Sequence, residues 1–265
     1  MADDVVLTDI AERVAVITLN RPDQRNALNR AVRRALPAAI TECDTDDDVD
    51  VMILTGADPA FCAGVDLKEF GSGHVQQGEG FAEVGDGRTP FRGALPPHRK
   101  PLIGAVNGVA VTGGFEVALN CDFLIASDRA RFADTHARVG VMPGWGLTVL
   151  LAQRIGVARA KQMSVTGNYI DAPTACAWGL VNEVVAHNEL LPYCRKLAAD
   201  VVSNDQMGVR RMIQTYNEVT ATTIDEGWDI ELRVSREWEG PGFDPASIEA
   251  RRMKVVERGR QQIQG

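Results

Sequence analysis

The residues best placed to do chemistry are a glutamate and the glycines just ahead of it. In Asn107-Gly108-Val109-Ala110-Val111-Thr112-Gly113-Gly114-Phe115-Glu116, an apolar strand runs into glycines and then into a helical pattern through Ala118 and Leu119. A second turn of the same kind spans Leu54-Thr55-Gly56-Ala57-Asp58-Pro59-Ala60-Phe61-Cys62-Ala63-Gly64-Val65-Asp66-Leu67-Lys68-Glu69-Phe70, and Gly64 reads as opening a short helix. A helix N-terminus leaves backbone N–H groups unpaired and carries partial positive charge. Two such ends facing one another would offer two donors to one oxygen, an oxyanion hole. Glu116 lies three residues after Gly113, on the same helix face, where its carboxylate would reach a carbon next to a carbonyl held at Gly113. Taken singly, each turn also fits an ordinary glycine turn, with Glu116 a first-turn acid that favours the helix dipole.

The elements that must position these turns read as α/β. Strands are predicted at Val5–Ile10 and Val14–Leu19, joined by Ala11-Glu12-Arg13, and at Val51–Thr55, Leu102–Val106 and Asp122–Ala126. A helix is predicted from Asn29, with Val32, Leu36 and Ile40 on one face and Pro37 expected to kink or shorten it. Acidic residues at 44, 46, 47, 48 and 50 read as a solvated loop. Short buried strands alternating with helices indicate α/β architecture. Residues 71–99 hold seven Gly and three Pro with little periodicity, the pattern of a substrate-facing cover or a disordered segment. Residues 205–262 read as helical throughout, with Ile224, Trp228 and Leu232 recurring every four residues. The chain therefore divides into an α/β core, residues 1–200, and a helical C-terminal segment, residues 201–265.

Composition narrows the partners. Among 265 residues, 28 Lys and Arg against 36 Asp and Glu leave a formal net charge of −8, which gives no general attraction to nucleic acid or to an anionic membrane. The opening MADDVV is acidic where a signal peptide is basic, and the nearly apolar run Leu102–Val111 is too short to span a bilayer. Five scattered Cys without a C-x-x-C pair suit reduced thiols, and the four His show no metal-binding spacing. These features predict a soluble cytoplasmic protein without a metal.

The two turns together resemble the signature segments of the crotonase (enoyl-CoA hydratase/isomerase) superfamily. The resemblance continues through Arg21-Pro22, Arg25-Asn26-Ala27-Leu28-Asn29, Phe132-Ala133-Asp134, Gly140-Val141-Met142-Pro143-Gly144 and Gly179-Leu180-Val181-Asn182-Glu183-Val184-Val185, in the same order over nearly the whole chain. It implies a spiral of ββα units with a helical C-terminal segment that assembles homotrimers, often paired as hexamers. It implies an acyl-CoA thioester substrate, with coenzyme A as part of the substrate and no separate cofactor. The thioester oxygen would meet the backbone N–H groups of Val65 and Gly113. Arg25, Ala27 and Leu28, together with Ala63, Asp66, Leu67 and Lys68, would line the path of the adenine and pantetheine. The basic residues Arg251, Arg252, Lys254 and Arg258 match the family's phosphate-binding tail only loosely and read equally well as a solvated helix face.

Hydratases of this family use two glutamates about the substrate double bond. One matches Glu116. The second position, four residues before Gly140, holds His136. An imidazole titrates near neutrality and can donate or accept a proton. Three readings follow. His136 replaces the second glutamate in an enoyl-CoA hydratase, or Glu116 acts largely alone in an isomerase or another enolate-forming enzyme, or the protein binds acyl-CoA without turnover. Asp134 would orient His136 or enter the site itself. Trp145, where the family more often has a small residue, would narrow the acyl pocket or pack into the core.

Overall fold

Each turn of the chain lays down two strands and places them in two different sheets. The computed structural model describes residues 4–66, 68–69, 92–238, 252 and 255–260. They fall into two units, residues 1–210 and 211–265.

The first unit opens with a hairpin of β1 (Val6–Ala11) and β2 (Val14–Leu19), turned at Glu12 and Arg13, whose positive φ angles of 51° and 65° match the twist of a two-residue hairpin. Helix α1 (Arg30–Thr45) follows, capped by the Asn29 side chain, which accepts from the Val32 amide at 2.9 Å. The strands β3 (Val51–Gly56), β5 (Leu102–Val106) and β7 (Phe123–Ser127) each cross after two or three residues into a short partner strand. These partners are β4 (Ala60–Cys62), β6 (Val109–Val111) and β8 (Arg131–Ala133). Helix α2 (Gly113–Leu119) leaves β6, and α3 (His136–Val139), α4 (Leu147–Ile155) and α5 (Val157–Thr166) follow β8. Strand β9 (Ile170–Asp171), helix α6 (Ala172–Ala177), strand β10 (Glu183–Val185) and helix α7 (Leu190–Val202) complete the unit up to the start of α8 (Gln206–Thr220).

The larger sheet runs β1-β2-β3-β5-β7-β10 and the smaller β4-β6-β8-β9. Because β3, β5 and β7 stack in parallel in the same order as β4, β6 and β8, the chain climbs as a spiral of repeated ββα turns, the fold the family resemblance implies. Side-chain alternation along the large sheet sorts two cores. Val14, Val16, Val51, Ile53, Ile103 and Ile125 meet Leu190, Cys194 and Ala198 of α7 on one face. Ile17, Leu19, Met52, Leu54, Val106 and Leu124 point to the other, against Leu36 and Ile40 of α1 and Phe115 of α2. Successive turns are stitched by Asn107, whose side chain donates to Asp58 and accepts from the Gly56 amide at 3.2 Å. Gly108 is required there, since a Cβ would stand 2.4 Å from the Pro59 carbonyl oxygen.

The structure departs from the sequence expectations at four points. Pro37 does not shorten α1, which runs sixteen residues through it; burial of Val32, Leu36 and Ile40 outweighs one missing backbone bond. The acidic run is not all solvated. Asp44 lies inside α1 and accepts from the Arg99 and Lys100 amides, and buried Asp50 pairs with Arg13 and Arg210. Val65 does not start a helix; it sits in an isolated parallel bridge with Leu28, and helical residues follow at 68–69. The C-terminal stretch is broken between α8 and α9 (Ile224–Trp238), where Thr223 and Glu226 form a capping box. Glu226 accepts from the Thr223 amide at 3.1 Å and its own amide donates to Thr223 Oγ1 at 3.4 Å. In the second unit the apolar stripe is exposed, Ile224 at 83% and Trp228 at 69%.

Among the described residues no helix is long and apolar enough to cross a membrane, and no group of three or more His, Cys, Asp or Glu could hold a metal ion.

Candidate active site

Buried carboxylates and an imidazole converge where α2, α3 and the loop before α4 meet. Glu116 projects from the first turn of α2, with its side chain 1% exposed. Its Oε1 accepts from the backbone amides of Trp145 at 2.8 Å and Leu147 at 3.3 Å. Its Oε2 faces His136 Nε2 at 3.6 Å. On the far side of the ring, His136 Nδ1 is 2.6 Å from Asp134 Oδ1, which also accepts from the His136 amide at 3.1 Å. Asp134, His136 and Glu116 thus form a line in which one imidazole bridges two carboxylates.

The electrostatics follow from that line. Burial acts most strongly on His136 and disfavours its charge. The hydrogen bonds and charges of Asp134 and Glu116 outweigh it, and the pKa is raised to about 9. Asp134 moves the other way: burial opposes its charge, but hydrogen bonds from His136 and Ser164 and the imidazolium itself hold it below the usual carboxylate range. Near neutral pH the ring is an imidazolium with Nδ1–H on Asp134 and Nε2–H toward Glu116.

The two predicted oxyanion donors adjoin this line. In the bridge between Leu28 and Val65, the Leu28 amide donates to the Gly64 carbonyl at 2.8 Å and the Asp66 amide to the Leu28 carbonyl at 3.3 Å. That pattern turns the N–H of Val65 away from Leu28. A carbon added at Gly64, whose φ is +90°, would lie 3.5 Å from the Gly113 amide nitrogen, so the two turns face each other there. Gly113 itself lies under Trp145; a Cβ on it would come within 2.6 Å of the indole.

The structure also brings together the residues assigned to the cofactor-like part of the ligand. Arg25 and Asn26 adopt left-handed backbone angles, and the Ala63 amide donates to the Arg25 carbonyl at 3.0 Å. Buried Asn26 holds this turn. It accepts from the Arg21 amide and donates to the carbonyls of Ala57 and Ala60, each within 2.8 Å. Ala27 and Leu28 are buried beside Ala63, Arg25 and Lys68 are exposed, and Asp66 is paired with Arg21 at 3.0 Å. Leu67, Arg251 and Lys254, and most of the 71–99 segment, lie outside the described residues, while Arg252 and Arg258 lie within them.

Residues 9–240 match the sequence family Enoyl-CoA hydratase/isomerase. The chain belongs to this family. Members resembling it include a probable peroxisomal enoyl-CoA hydratase of Arabidopsis thaliana, 42% identical over 84% of this chain and 81% of that protein. A crotonyl-CoA hydratase of Syntrophomonas wolfei is 36% identical over 87% of this chain and 88% of its own length. Among solved structures, an enoyl-CoA hydratase of Mycobacterium tuberculosis H37Rv is 47% identical, covers 88% of this chain and 97% of its own, and superposes with a TM-score of 0.74. The protein is therefore a hydratase/isomerase-like enzyme of the crotonase superfamily.

Three features of this family member's site are not written in local motifs. The Trp145 and Leu147 amides that grip Glu116 come from a loop some thirty residues downstream. Asn120, just past α2, donates to the carbonyls of Glu116 at 2.8 Å and Trp145 at 3.0 Å, and so ties that loop to the helix. Thr112 takes an unusual backbone conformation directly before Gly113. A glycine run marked the turn, but the left-handed Thr112 backbone appears only in the folded chain.

Proposed function

We propose that the protein adds water across the double bond of a 2-enoyl-CoA. The observation that carries this reading is the Asp134–His136–Glu116 line, with Nε2 of a charged imidazole 3.6 Å from the Glu116 carboxylate. The thioester oxygen accepts from the N–H groups of Val65 and Gly113, and negative charge develops on it as the enolate forms. Glu116 takes a proton from water as the water oxygen bonds to the β-carbon. His136 Nε2–H protonates the α-carbon, and the enolate electron pair forms that C–H bond. The proton now on Glu116 returns to Nε2, which restores both groups. Asp134 stays ionised and holds Nδ1–H, so Nε2 always faces the substrate.

Arg25, Ala27, Leu28, Ala63, Asp66, Leu67 and Lys68 are proposed to line the path of the adenine and pantetheine of coenzyme A. The core would be the acyl-CoA unit, and the exposed stripe of Ile224, Trp228 and Leu232 would be buried in a homotrimer or hexamer.

Replacing Glu116 by Gln tests the central assignment. Turnover of crotonyl-CoA is expected to disappear while calorimetric binding of a CoA thioester persists. Full hydratase activity in that variant would remove Glu116 from the mechanism. Conversion of a 3-enoyl-CoA with no hydration of a 2-enoyl-CoA would move the protein to the isomerases, and binding without any turnover would make it an acyl-CoA binder.

A further inference from the structure

Thr112 stands between the two halves of the site in a conformation that a β-branched residue rarely adopts. Its φ is 53° and its ψ −117°, in the left-handed half of backbone space where glycine is the natural occupant. The next residue is Gly113, so the ψ of Thr112 sets the direction in which the Gly113 N–H points. The Thr112 carbonyl accepts from the Glu116 amide at 2.9 Å as the first bond of α2, and two further contacts hold Thr112 from the other side. Its amide donates to the Ala133 carbonyl at 3.0 Å, and its Oγ1 is 2.5 Å from Thr135 Oγ1. Thr135 directly precedes His136 and flanks α3. Thr112 also faces the other donor turn, its Cβ lying 3.4 Å from where a carbon on Gly64 would be. One hydroxyl pair therefore connects the peptide that aims the oxyanion donor to the peptide that carries the imidazole.

We propose that Thr112 is a positioning residue, and that its hydroxyl bond to Thr135 holds the Gly113 N–H in register with His136. This rests on the reading of Gly113 as an oxyanion donor. Strain retained at a functional turn needs compensating contacts, and here two of the three run to the segment 133–135 that leads into His136, the third being the bond from the Glu116 amide. The hydroxyl pair also makes the spacing between thioester oxygen and α-carbon proton donor a property of the fold, not of the substrate.

The test compares Thr112→Val, Thr135→Val, their double variant and Thr112→Ser, with kcat, KM and melting temperature measured on each. Each Val variant is expected to lose about tenfold or more in kcat with KM changed less than about threefold, the signature of an interaction made in the transition state. The double variant is expected to lose no more than the worse single, because both remove one bond. Thr112→Ser is expected to recover most of the loss. A second readout uses acetoacetyl-CoA, whose enolate absorbs in the ultraviolet and forms only if the oxyanion donors stabilise it. Its apparent pKa on the protein is expected to rise in both Val variants. Single Val variants with wild-type kcat and wild-type enolate pKa overturn the proposal, as does multiplication of the two losses in the double variant. If wild type hydrates nothing yet stabilises the enolate, and the Val variants weaken that, the hydratase reading falls and the positioning role stands. If wild type neither hydrates nor stabilises the enolate, both fall.

Discussion

Replacing Asp134 by Asn removes the charge that holds His136 protonated while keeping an oxygen in place to accept from Nδ1. In the native site, the carboxylates lift the His136 pKa to about 9 against a burial effect that pushes it down. From the free-solution value of 6.5, that elevation corresponds to about 3 kcal/mol of preference for the imidazolium. With one of the two carboxylates neutralised and burial unchanged, the pKa is expected to fall toward 6.5. Near pH 7.5 the protonated fraction then drops from about 97% to as little as about 9%, a loss of up to roughly tenfold in the acid form proposed to protonate the α-carbon. The assay is hydration of crotonyl-CoA by loss of its ultraviolet absorbance, with kcat/KM recorded from about pH 5.5 to about pH 10. Wild type is expected to lose activity as pH rises through about 9. The variant's alkaline limb is expected to move down by about two pH values, with activity recovered on acidification. An alkaline limb unchanged by Asp134→Asn would refute the assignment of His136 as the acid, because the loss of one of the two carboxylates that raise its pKa, with burial unchanged, must lower that pKa.

Further outcomes follow from the same geometry. Wild-type stability should be pH-dependent: a folded pKa of about 9 above an unfolded 6.5 contributes stability fully below the lower value and loses it as pH rises through the higher, so the melting temperature should decline over that window, less so in Asp134→Asn. Trp145→Ala should widen the space over Gly113 and toward the neighbouring recess of about 360 Å³ that Trp145 lines with Arg92, Gly93 and residues 143–149. The ratio of kcat/KM for a ten-carbon to a four-carbon enoyl-CoA should then rise by about tenfold or more, since each added methylene gains about 0.8 kcal/mol on burial; an unchanged ratio would place the indole outside the acyl path. Asn26→Ala removes three hydrogen bonds from a fully buried side chain, which should cost about 3 kcal/mol and lower the melting temperature by about 6–12 °C in thermal denaturation. Thr223→Ala should cost about 1 kcal/mol in the second unit through loss of the capping box, measured as faster amide exchange at the start of α9.

Much of this protein is legible in its sequence because the signals are local. Val14–Leu19 and Leu102–Val106 alternate or run apolar over the same residues that form strands, since a buried strand needs little more than an unbroken apolar run. The helix predicted from Asn29 is α1, and the structure shows the Asn29 side chain capping it within three residues. Thr223 and Glu226 carried an equally local stop-and-start signal, yet the surrounding helical periodicity masked it. The position of Glu116 one turn beyond Gly113 was readable from spacing alone, and the enoyl-CoA hydratase/isomerase motifs placed His136 opposite it.

What the tertiary structure decided is everything that depends on distance between segments far apart in the chain. Sequence allowed Asp134 either to orient His136 or to enter the site; a 2.6 Å contact with Nδ1 assigns it to the imidazole. Trp145 could have narrowed the acyl pocket or packed into the core; in the structure its partly buried ring packs against the core and over Gly113, and its amide donates to Glu116. The charge state of His136 depends on the balance between burial and two carboxylates, and no residue count contains that balance. Residue types and local spacing determined which groups could react. Their pKa values, their orientation and the strain at Thr112 arise only when the spiral brings β6, β8 and the loop before α4 into contact.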